Sequence, residues 1–323
     1  MKMDKNTLVA IGEALIDFIP DKTGCDFSEV TAFAPKVGGA PANVCGAFTK
    51  LGGNSRMLTQ LGDDPFGHKI LAELKGYGID TSCISLTDKA NTALAFVSLD
   101  ADGGRTFSFY RKPSADMLYA PENIRKECFD DAYALHFCSV DLADDPMREA
   151  HRTAVTYARA SGAVISFDPN LRFQLWHSRE ALIQTVMQFI PLADIVKVSD
   201  EELAPITGET DIEKALDKLF AGAVKLVVYT CGSDGAYAYT RKARAFSPAR
   251  QVKAVDTTGA GDGFIGSFLN GLCRRGIGAD KLESLSSEVL EECLELSNEF
   301  CARSIQKHGA IASYPDMKEL LAK

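Results

Sequence analysis

The chain has 323 residues, of which 46% are hydrophobic and 24% charged, and this composition excludes an intrinsically disordered protein. Its 35 Lys and Arg against 44 Asp and Glu give a formal charge of −9, which argues against nucleic acid or an anionic membrane surface as the main partner. The chain lacks any apolar run of about 18 residues, the length that a membrane span requires.

Two further features predict a cytoplasmic protein. The apolar segment 8–18 is interrupted by Glu13 and Asp17 and lacks a small-residue cleavage site, so it is not interpreted as a signal peptide. The nine cysteines include no C-x-x-C pair. Scattered cysteines of this kind are typical of a reducing compartment, where most of them pack in the core.

The first third of the chain mixes helix and strand signals. A short buried strand is predicted at 8–11, a helix with Val44, Ala47, Phe48 and Leu51 on one face, a strand at 56–61 and a helix at 66–77. Segments 93–99 and 106–110 flank the turn Asp102-Gly103-Gly104 and predict a β-hairpin. Together with the stretch near 20–36, this hairpin is expected to form a small appended β-sheet.

From residue 133 onward, strands alternate with helices. Strands are predicted at 134–137, 164–167, 195–198 and 226–230, with helices between them at 146–160, 181–190 and 212–220. Two longer helices follow, at 262–275 and 286–305. This alternation predicts an α/β fold with a parallel sheet covered by helices on both faces, and no linker divides the chain into separate domains.

The segment from Asp256 to Gly263, with the sequence DTTGAGDG, is followed by an apolar helix. Glycines before a helix start let several backbone N–H groups point at one anion, and the helix dipole adds positive potential. A carboxylate at the same place, Asp262, suggests a group that accepts a proton from an attacking hydroxyl. By itself, the segment is also compatible with an aspartate that only complements the helix dipole.

A second glycine pair, Gly38 and Gly39, precedes the first predicted helix, which has Pro41 in its first turn. Asn43 stands in that first turn, where its amide could reach a hydroxyl group of a ligand. A solvated helix residue is the alternative interpretation of Asn43.

Together, the segments 37–43 and 256–262 resemble the two signatures of the ribokinase-like (PfkB) carbohydrate kinases, and the similarity extends from Gly12 to Gly309. The resemblance implies a three-layer α/β/α domain over residues 1–323, with a mostly parallel central sheet. It also implies a small β-sheet lid inserted at about 20–36 and 91–112. Members of this family transfer the γ-phosphoryl group of ATP to a sugar hydroxyl.

Catalytic roles follow from the same resemblance. It implies that Asp262 is the general base and that Gly259, Ala260 and Gly261 form the anion hole. We expect the helix start to keep Asp262 ionised at neutral pH. The sequence contains no Gly-Lys dipeptide, so a P-loop kinase is excluded and backbone amides are expected to replace the P-loop lysine. A dehydrogenase is excluded because no G-x-G-x-x-G follows the first strand.

For the sugar, the resemblance implies a site whose residues come from four separate segments: Asp17, Gly38, Gly39, Asn43, Phe107 and Arg172. Phe107 would cover the sugar from the lid, although alternation along a strand also explains an aromatic residue there. Arg172 could donate paired hydrogen bonds to a ketose or to a carboxylate.

For ATP, the resemblance implies a second set of residues: Ser199, Thr230, Gly232, Gly235 and Asn298. Glu202 is implied to act on the water shell of Mg²⁺. Ser199 stands where the family usually has asparagine, and Ser199-x-x-Glu202 is also the pattern of a helix capping box, so both interpretations are kept. A monovalent cation, K⁺, is implied at a third set of positions: Asp256, Thr258, Ser304, Lys307, Gly309 and Ser313.

The segments 168–172 and 106–116 are most similar to bacterial fructokinases. The expected partners are therefore a small sugar and ATP, with no nucleic acid and no membrane, and a homodimer is left open. 2-Keto-3-deoxygluconate kinases and aminoimidazole riboside or ribose kinases are the alternatives. A non-catalytic sugar or nucleotide sensor on a kinase scaffold is the alternative of a different class.

Overall fold

The computed structural model describes residues 5–22, 24–99 and 105–322. The described strands, β1 to β13, are Thr7–Ile11, Leu15–Pro20, Phe33–Gly38, Asn54–Gly62, Ile84–Thr87, Leu94–Leu99, Arg105–Tyr110, Ala132–Cys138, Val164–Asp168, Ile195–Ser199, Leu226–Thr230, Ala236–Tyr239 and Arg244–Ser247. The described helices, α1 to α9, are Ala40–Lys50, Pro65–Gly76, Met147–Ser161, Arg179–Phe189, Asp200–Thr207, Ile212–Leu219, Ala260–Arg274, Ser287–Ser304 and Met317–Leu321.

Nine strands form one large sheet in the order β13-β12-β11-β10-β9-β8-β1-β4-β5. The pairs β11–β12 and β12–β13 are antiparallel, and the other neighbours are parallel. The loops after β1, β8, β9, β10 and β11 therefore leave from the same edge of the sheet, which is where ligands bind in sheets of this kind.

Alternate residues of each central strand face opposite sides of this sheet. Leu8 and Ile195 pack with helices α1, α7 and α8, whereas Val9 and Val196 pack with α3, α4, α5 and α6. Helices therefore cover both faces, and the predicted three-layer α/β/α architecture is confirmed.

The remaining four strands form a small separate sheet in the order β3-β2-β6-β7. The antiparallel pairing of β6 with β7 confirms the predicted hairpin, while its Asp102-Gly103-Gly104 turn lies outside the described residues. Strand β7 places Phe107 and Phe109 on one face, where they pack against Leu15, Ala93 and Ala95. No described helix is long and apolar enough to cross a bilayer.

Two expectations from the sequence were incomplete. The short strands β5, β12 and β13 were not predicted, because four residues are too few for a periodic pattern to stand out. The sequence also did not predict a disulfide, yet Cys83 and Cys128, which pack with the core, are joined by one across 45 residues. The seven other cysteines are free.

Candidate active site

Helix α7 begins at the carboxyl edge of the sheet with a glycine that no other residue could replace without strain. Gly259 has φ of 71°, in the left-handed region. A Cβ there would lie 2.7 Å from Ala310 Cβ and from Tyr314 Oη. The Gly259 carbonyl accepts hydrogen bonds from the Gly263 amide and the Tyr314 hydroxyl, both at 2.7 Å. The first turn of α7 is therefore held rigidly.

The amides expected to form the anion hole lie at this helix start. Ala260 N–H already donates to the Thr257 carbonyl, but at a long 3.2 Å. A phosphate oxygen would have to share or replace that bond. Gly261 is exposed and lies in the wall of the nucleotide cavity described below. The geometry thus provides an anion-facing helix N-terminus at the place where the sequence predicts one.

Asp262 lies in the first turn of α7, and its environment differs from the expectation. Burial and the nearby Asp168 carboxylate raise its pKa to about 6, while the hydrogen bond from Asn43 and the charges of Lys197 and Arg172 lower it. The helix start therefore does not depress the pKa below its ordinary range. The carboxylate is nevertheless mostly ionised at pH 7, and a pKa near neutrality suits a general base.

A cavity of about 230 Å³ opens in front of Asp262, between the large sheet and the small four-stranded sheet, which is called the lid below. Most of the predicted sugar residues line it: Asp17, Gly39, Asn43, Phe107 and Arg172. Glu13, Phe109 and Asn170 also line it, although the sequence did not indicate them as sugar-binding residues. Phe107 and Phe109 stack with ring centroids 5.7 Å apart, so the lid supplies two rings rather than one.

The glycine pair at 38 and 39 shapes this cavity without forming much of its wall. A Cβ on Gly38 would lie 2.1 Å from Asp17 Oδ2. Gly39 has φ of 112°, and a Cβ there would lie 2.4 Å from the Glu13 carbonyl oxygen. Both positions exclude a side chain. A side chain at Gly38 would displace the predicted sugar-binding carboxylate of Asp17, and a side chain at Gly39 would displace the loop after β1.

Asn43 does not extend into solvent. Its Nδ2 donates to Asp262 Oδ2 at 2.9 Å, and its buried Oδ1 has no hydrogen-bond partner. The amide therefore orients the predicted base through its Nδ2 atom, while its Oδ1 atom is buried without a donor.

A buried group of charges joins the lid to the large sheet. Arg111, directly after β7, pairs with both Asp116 and Asp141. Glu13 lies beside them and accepts a hydrogen bond from the Ala40 amide at 2.8 Å. Burial, followed by the nearby Asp141, raises the pKa of Glu13. No sequence pattern indicated this group beyond the presence of charged residues next to apolar strands.

A second cavity, of about 430 Å³, lies on the other side of the start of α7. Its wall includes every predicted nucleotide residue: Ser199, Thr230, Gly232, Gly235 and Asn298. Asn298 Nδ2 donates to the Ser247 carbonyl at 2.9 Å, which fixes it in the wall. Apolar side chains such as Val252, Phe264 and Ile305 complete a surface suited to a planar base.

Lys197 was overlooked by the sequence analysis. It is buried on β10, and its Nζ lies 2.7 Å from Asp168 Oδ2 at the end of β9. It lines the nucleotide cavity. A charged residue between Val196 and Val198 in an otherwise apolar strand was the available signal, since a lysine is rarely buried without a partner.

Comparisons with known proteins agree with this geometry. Residues 5–317 match the pfkB family carbohydrate kinase profile. The chain belongs to this family. A probable fructokinase-5 from Arabidopsis thaliana is 41% identical over 309 residues, which cover 95% of this chain and 94% of the relative.

Two solved structures resemble the kinase closely. A fructokinase from Xylella fastidiosa with bound ATP has a TM-score of 0.90 at 33% identity. A fructokinase from Vibrio cholerae O395 in a fructose-, ADP- and calcium-bound form has a TM-score of 0.85 at 32% identity. Each comparison covers 98% of both chains. The ribokinase-like fold and the carbohydrate kinase activity predicted from the sequence are therefore confirmed.

The Ser199–Glu202 pair of this kinase forms the predicted capping interaction. Ser199 begins α5, and its backbone N–H and hydroxyl both donate to Glu202 Oε2 at 3.0 Å. Glu202 Oε1 accepts the Leu171 amide at 2.7 Å. Both carboxylate oxygens thus already have protein donors, and contact with the water shell of Mg²⁺ stays a prediction.

The positions implied for a monovalent cation fall into two groups beside α7. Asp256 accepts the Thr258 amide at 2.8 Å and the Gly309 amide at 2.9 Å. The hydroxyls of Ser304 and Ser313 lie 2.7 Å apart. The Lys307 side chain points elsewhere, toward Glu319 at 3.2 Å. A cation at these positions stays a prediction.

Proposed function

We propose that this kinase is an ATP-dependent fructokinase that converts ATP and D-fructose to ADP and D-fructose 6-phosphate. The observation that carries the proposal is the meeting of two cavities at one helix start. Thr257 lines both cavities, Asp262 faces the lid side, and Gly261 faces the nucleotide side. A sugar hydroxyl in the first cavity and the γ-phosphate of a nucleotide in the second would face each other across residues 257–262.

The charge of the sugar cavity supports a neutral sugar. Glu13, Asp17 and Asp262 line it, and Arg172 is the cationic side chain among the described lining residues. Arg111 is already engaged by two buried carboxylates. A substrate carboxylate, as in 2-keto-3-deoxygluconate, would be repelled by the carboxylates of Asp17 and Asp262, whereas Glu13, whose pKa is raised to about 8, adds no charge at neutral pH. Fructose presents hydroxyls, which carboxylates bind well as acceptors. The similarity to fructokinases points the same way.

In the proposed mechanism, Asp262 accepts the proton of the fructose O6 hydroxyl as O6 attacks the γ-phosphorus. The O6–P bond forms while the bond from the γ-phosphorus to the β-phosphate oxygen breaks, and ADP leaves. The amides of Gly261 and Ala260 would stabilise charge on the transferred group. Phe107 and Phe109 on the lid would exclude water from the site.

Mg²⁺ fits the donors at this site. No group of three acidic, histidine or cysteine side chains arranged to hold a metal occurs in the described ranges. Mg²⁺ usually keeps several waters and binds one or two carboxylates together with substrate phosphates, so such a cluster is not required. Glu202 would hold the ion through water, and the ion would supply neutralisation of phosphate charge. The possible K⁺ requirement, a homodimer and the cytoplasmic location remain predictions.

An ADP-release assay with four acceptors tests the proposal: fructose, 2-keto-3-deoxygluconate, ribose and aminoimidazole riboside. We expect fructose to give the highest kcat/KM. A much higher kcat/KM with 2-keto-3-deoxygluconate would overturn the choice of fructose. ATP binding without ADP release for any acceptor would instead favour a non-catalytic sensor.

A further inference from the structure

Lys197 lies beside the start of α7, in the wall of the nucleotide cavity. Besides the nucleotide cavity, it lines a small polar pocket of about 220 Å³ whose wall also contains Asp168, Glu202, Gly261 and Asp262. Carboxylates face its ammonium from three elements: Asp168 at the end of β9, Glu202 on α5 and Asp262 on α7. His136 on β8 also lies close enough for the ammonium to lower its pKa.

The ammonium is close to the predicted anion hole. A Cβ on Gly261 would lie 3.2 Å from Lys197 Nζ. Any ligand atom that approached the backbone of Gly261 from that side would come within reach of the ammonium. Burial lowers the pKa of Lys197, but Asp168 and Glu202 outweigh that effect and the net shift is upward. The side chain therefore carries its positive charge at the pH of the reaction.

We propose that Lys197 is a catalytic residue that binds the γ-phosphoryl group of ATP, and that Asp168 is a positioning residue that holds its ammonium. The inference rests on the proposed transfer of a phosphoryl group across the start of α7. Lys197 keeps its proton throughout and supplies charge, while Asp262 accepts the proton of the sugar hydroxyl. A lysine from β10 would thus add a cation to the phosphate-binding site, which the sequence predicted to consist of backbone amides alone.

A purely structural role for Lys197 makes a different prediction. Asp168 is 2% exposed, and a buried carboxylate is costly without a cationic partner. If Lys197 only neutralised Asp168, removing both charges together would restore the site. If Lys197 binds phosphate, removing both charges would leave the loss of activity in place.

The experiment therefore compares four proteins: wild type, Lys197→Met, Lys197→Arg and the double variant Lys197→Met/Asp168→Asn. The double variant removes both partners of the 2.7 Å ion pair, so Asp168 is not left charged without Lys197, and it tests the proposal even if Lys197→Met alone does not fold. A matched control is Lys225→Met. Lys225 pairs with buried Asp194 at 3.2 Å, before the amino ends of β11 and β10 and thus at the opposite edge of the sheet.

Two quantities are measured: kcat with fructose, and the Kd values of ATP and ADP by calorimetry. We expect kcat of the double variant to fall at least ~100-fold, as for other lost donors to a transition-state oxyanion. Its preference for ATP over ADP should fall by about 10-fold, because ADP lacks the γ-phosphate. Lys197→Arg should keep more activity than Lys197→Met, and Lys225→Met should match wild type in both quantities.

Wild-type kcat in the double variant, or an unchanged preference for ATP over ADP, would overturn the inference. Failure of the proposed function would give a different result from failure of this inference, because the wild-type protein itself would then be inactive with every acceptor. The calorimetric comparison would still test Lys197 in that case, since it requires binding alone.

Discussion

Asn43 and Asp262 are 219 positions apart in the sequence, yet the Asn43 side-chain amide donates a hydrogen bond to the Asp262 carboxylate at 2.9 Å. The bond joins the first turns of α1 and α7, the two helices that begin after glycines. It also favours the ionised form of the proposed base and so opposes the effect of burial on its pKa.

The pH dependence of the reaction should reflect this bond. The pKa of Asp262 is raised to about 6, so wild-type kcat/KM should fall as the pH drops below about 6 and the base becomes protonated. Asn43→Ala removes a donor to the ionised form, so the pKa of Asp262 should rise and the acidic limb should move to higher pH. Steady-state kinetics from pH 5 to pH 8 would measure both curves.

Asn270→Ala is the matched control for this variant. Asn270 is also a buried asparagine linking α7 to α1, through a 3.2 Å bond to the Phe48 carbonyl. It should cost stability without moving the acidic limb. Coincident limbs for wild type and Asn43→Ala would contradict the assignment of Asn43.

Replacing the base itself should separate chemistry from binding. Asp262→Asn keeps the size of the side chain and removes its ability to accept a proton. We expect kcat to fall at least ~100-fold, as is typical of a lost general base, while ATP affinity and the unfolding temperature stay close to wild type. Turnover near the wild-type level would exclude Asp262 as the base.

Gly38 offers a test of Asp17. In Gly38→Ala, the new Cβ would meet Asp17 Oδ2 at 2.1 Å, so the carboxylate must move. We expect KM for fructose to rise roughly 10-fold to 100-fold, the range that follows from a misplaced binding group. Gly76→Ala, on α2, is the control because no atom beyond its chain neighbours and its own helix backbone lies within 4 Å of its added Cβ. An unchanged KM in Gly38→Ala would argue against Asp17 as a sugar ligand.

Glu13 should make stability depend on pH. Its pKa is raised to about 8 by burial and by Asp141, so the folded protein holds a proton that the unfolded chain has released. The contribution of this proton to the free energy of unfolding is complete below the ordinary pKa of glutamate, near 4.3, and is lost as the pH rises through about 8. Glu13→Gln can still accept the Ala40 amide but cannot ionise.

Urea unfolding at several pH values from 5 to 8 would measure this effect. The free energy of unfolding should fall more steeply with rising pH in wild type than in Glu13→Gln. Parallel curves for the two proteins would show that Glu13 has the same charge in the folded and unfolded states.

Much of the candidate site was predictable because its parts are local. The pair Gly38 and Gly39 and the segment 256–262 are short. Each combines, within a few consecutive residues, the glycines that a helix start at a ligand site requires and the polar groups that would contact the ligand. The residues predicted for the nucleotide lie in the walls of one cavity, and most of those predicted for the sugar lie in another. The regular spacing of apolar residues likewise predicted the central strands and the longer helices, since strands and helices repeat with different periods.

The sequence by itself determined the family, the three-layer fold and the helix start that faces an anion. Only the tertiary structure decided which distant side chains meet there: Asn43 with Asp262, Lys197 with Asp168, and Arg111 with Asp141. These contacts depend on the order of strands in the sheet and on how the lid packs against it. Burial by the whole fold, rather than the local helix start, also sets the pKa of Asp262.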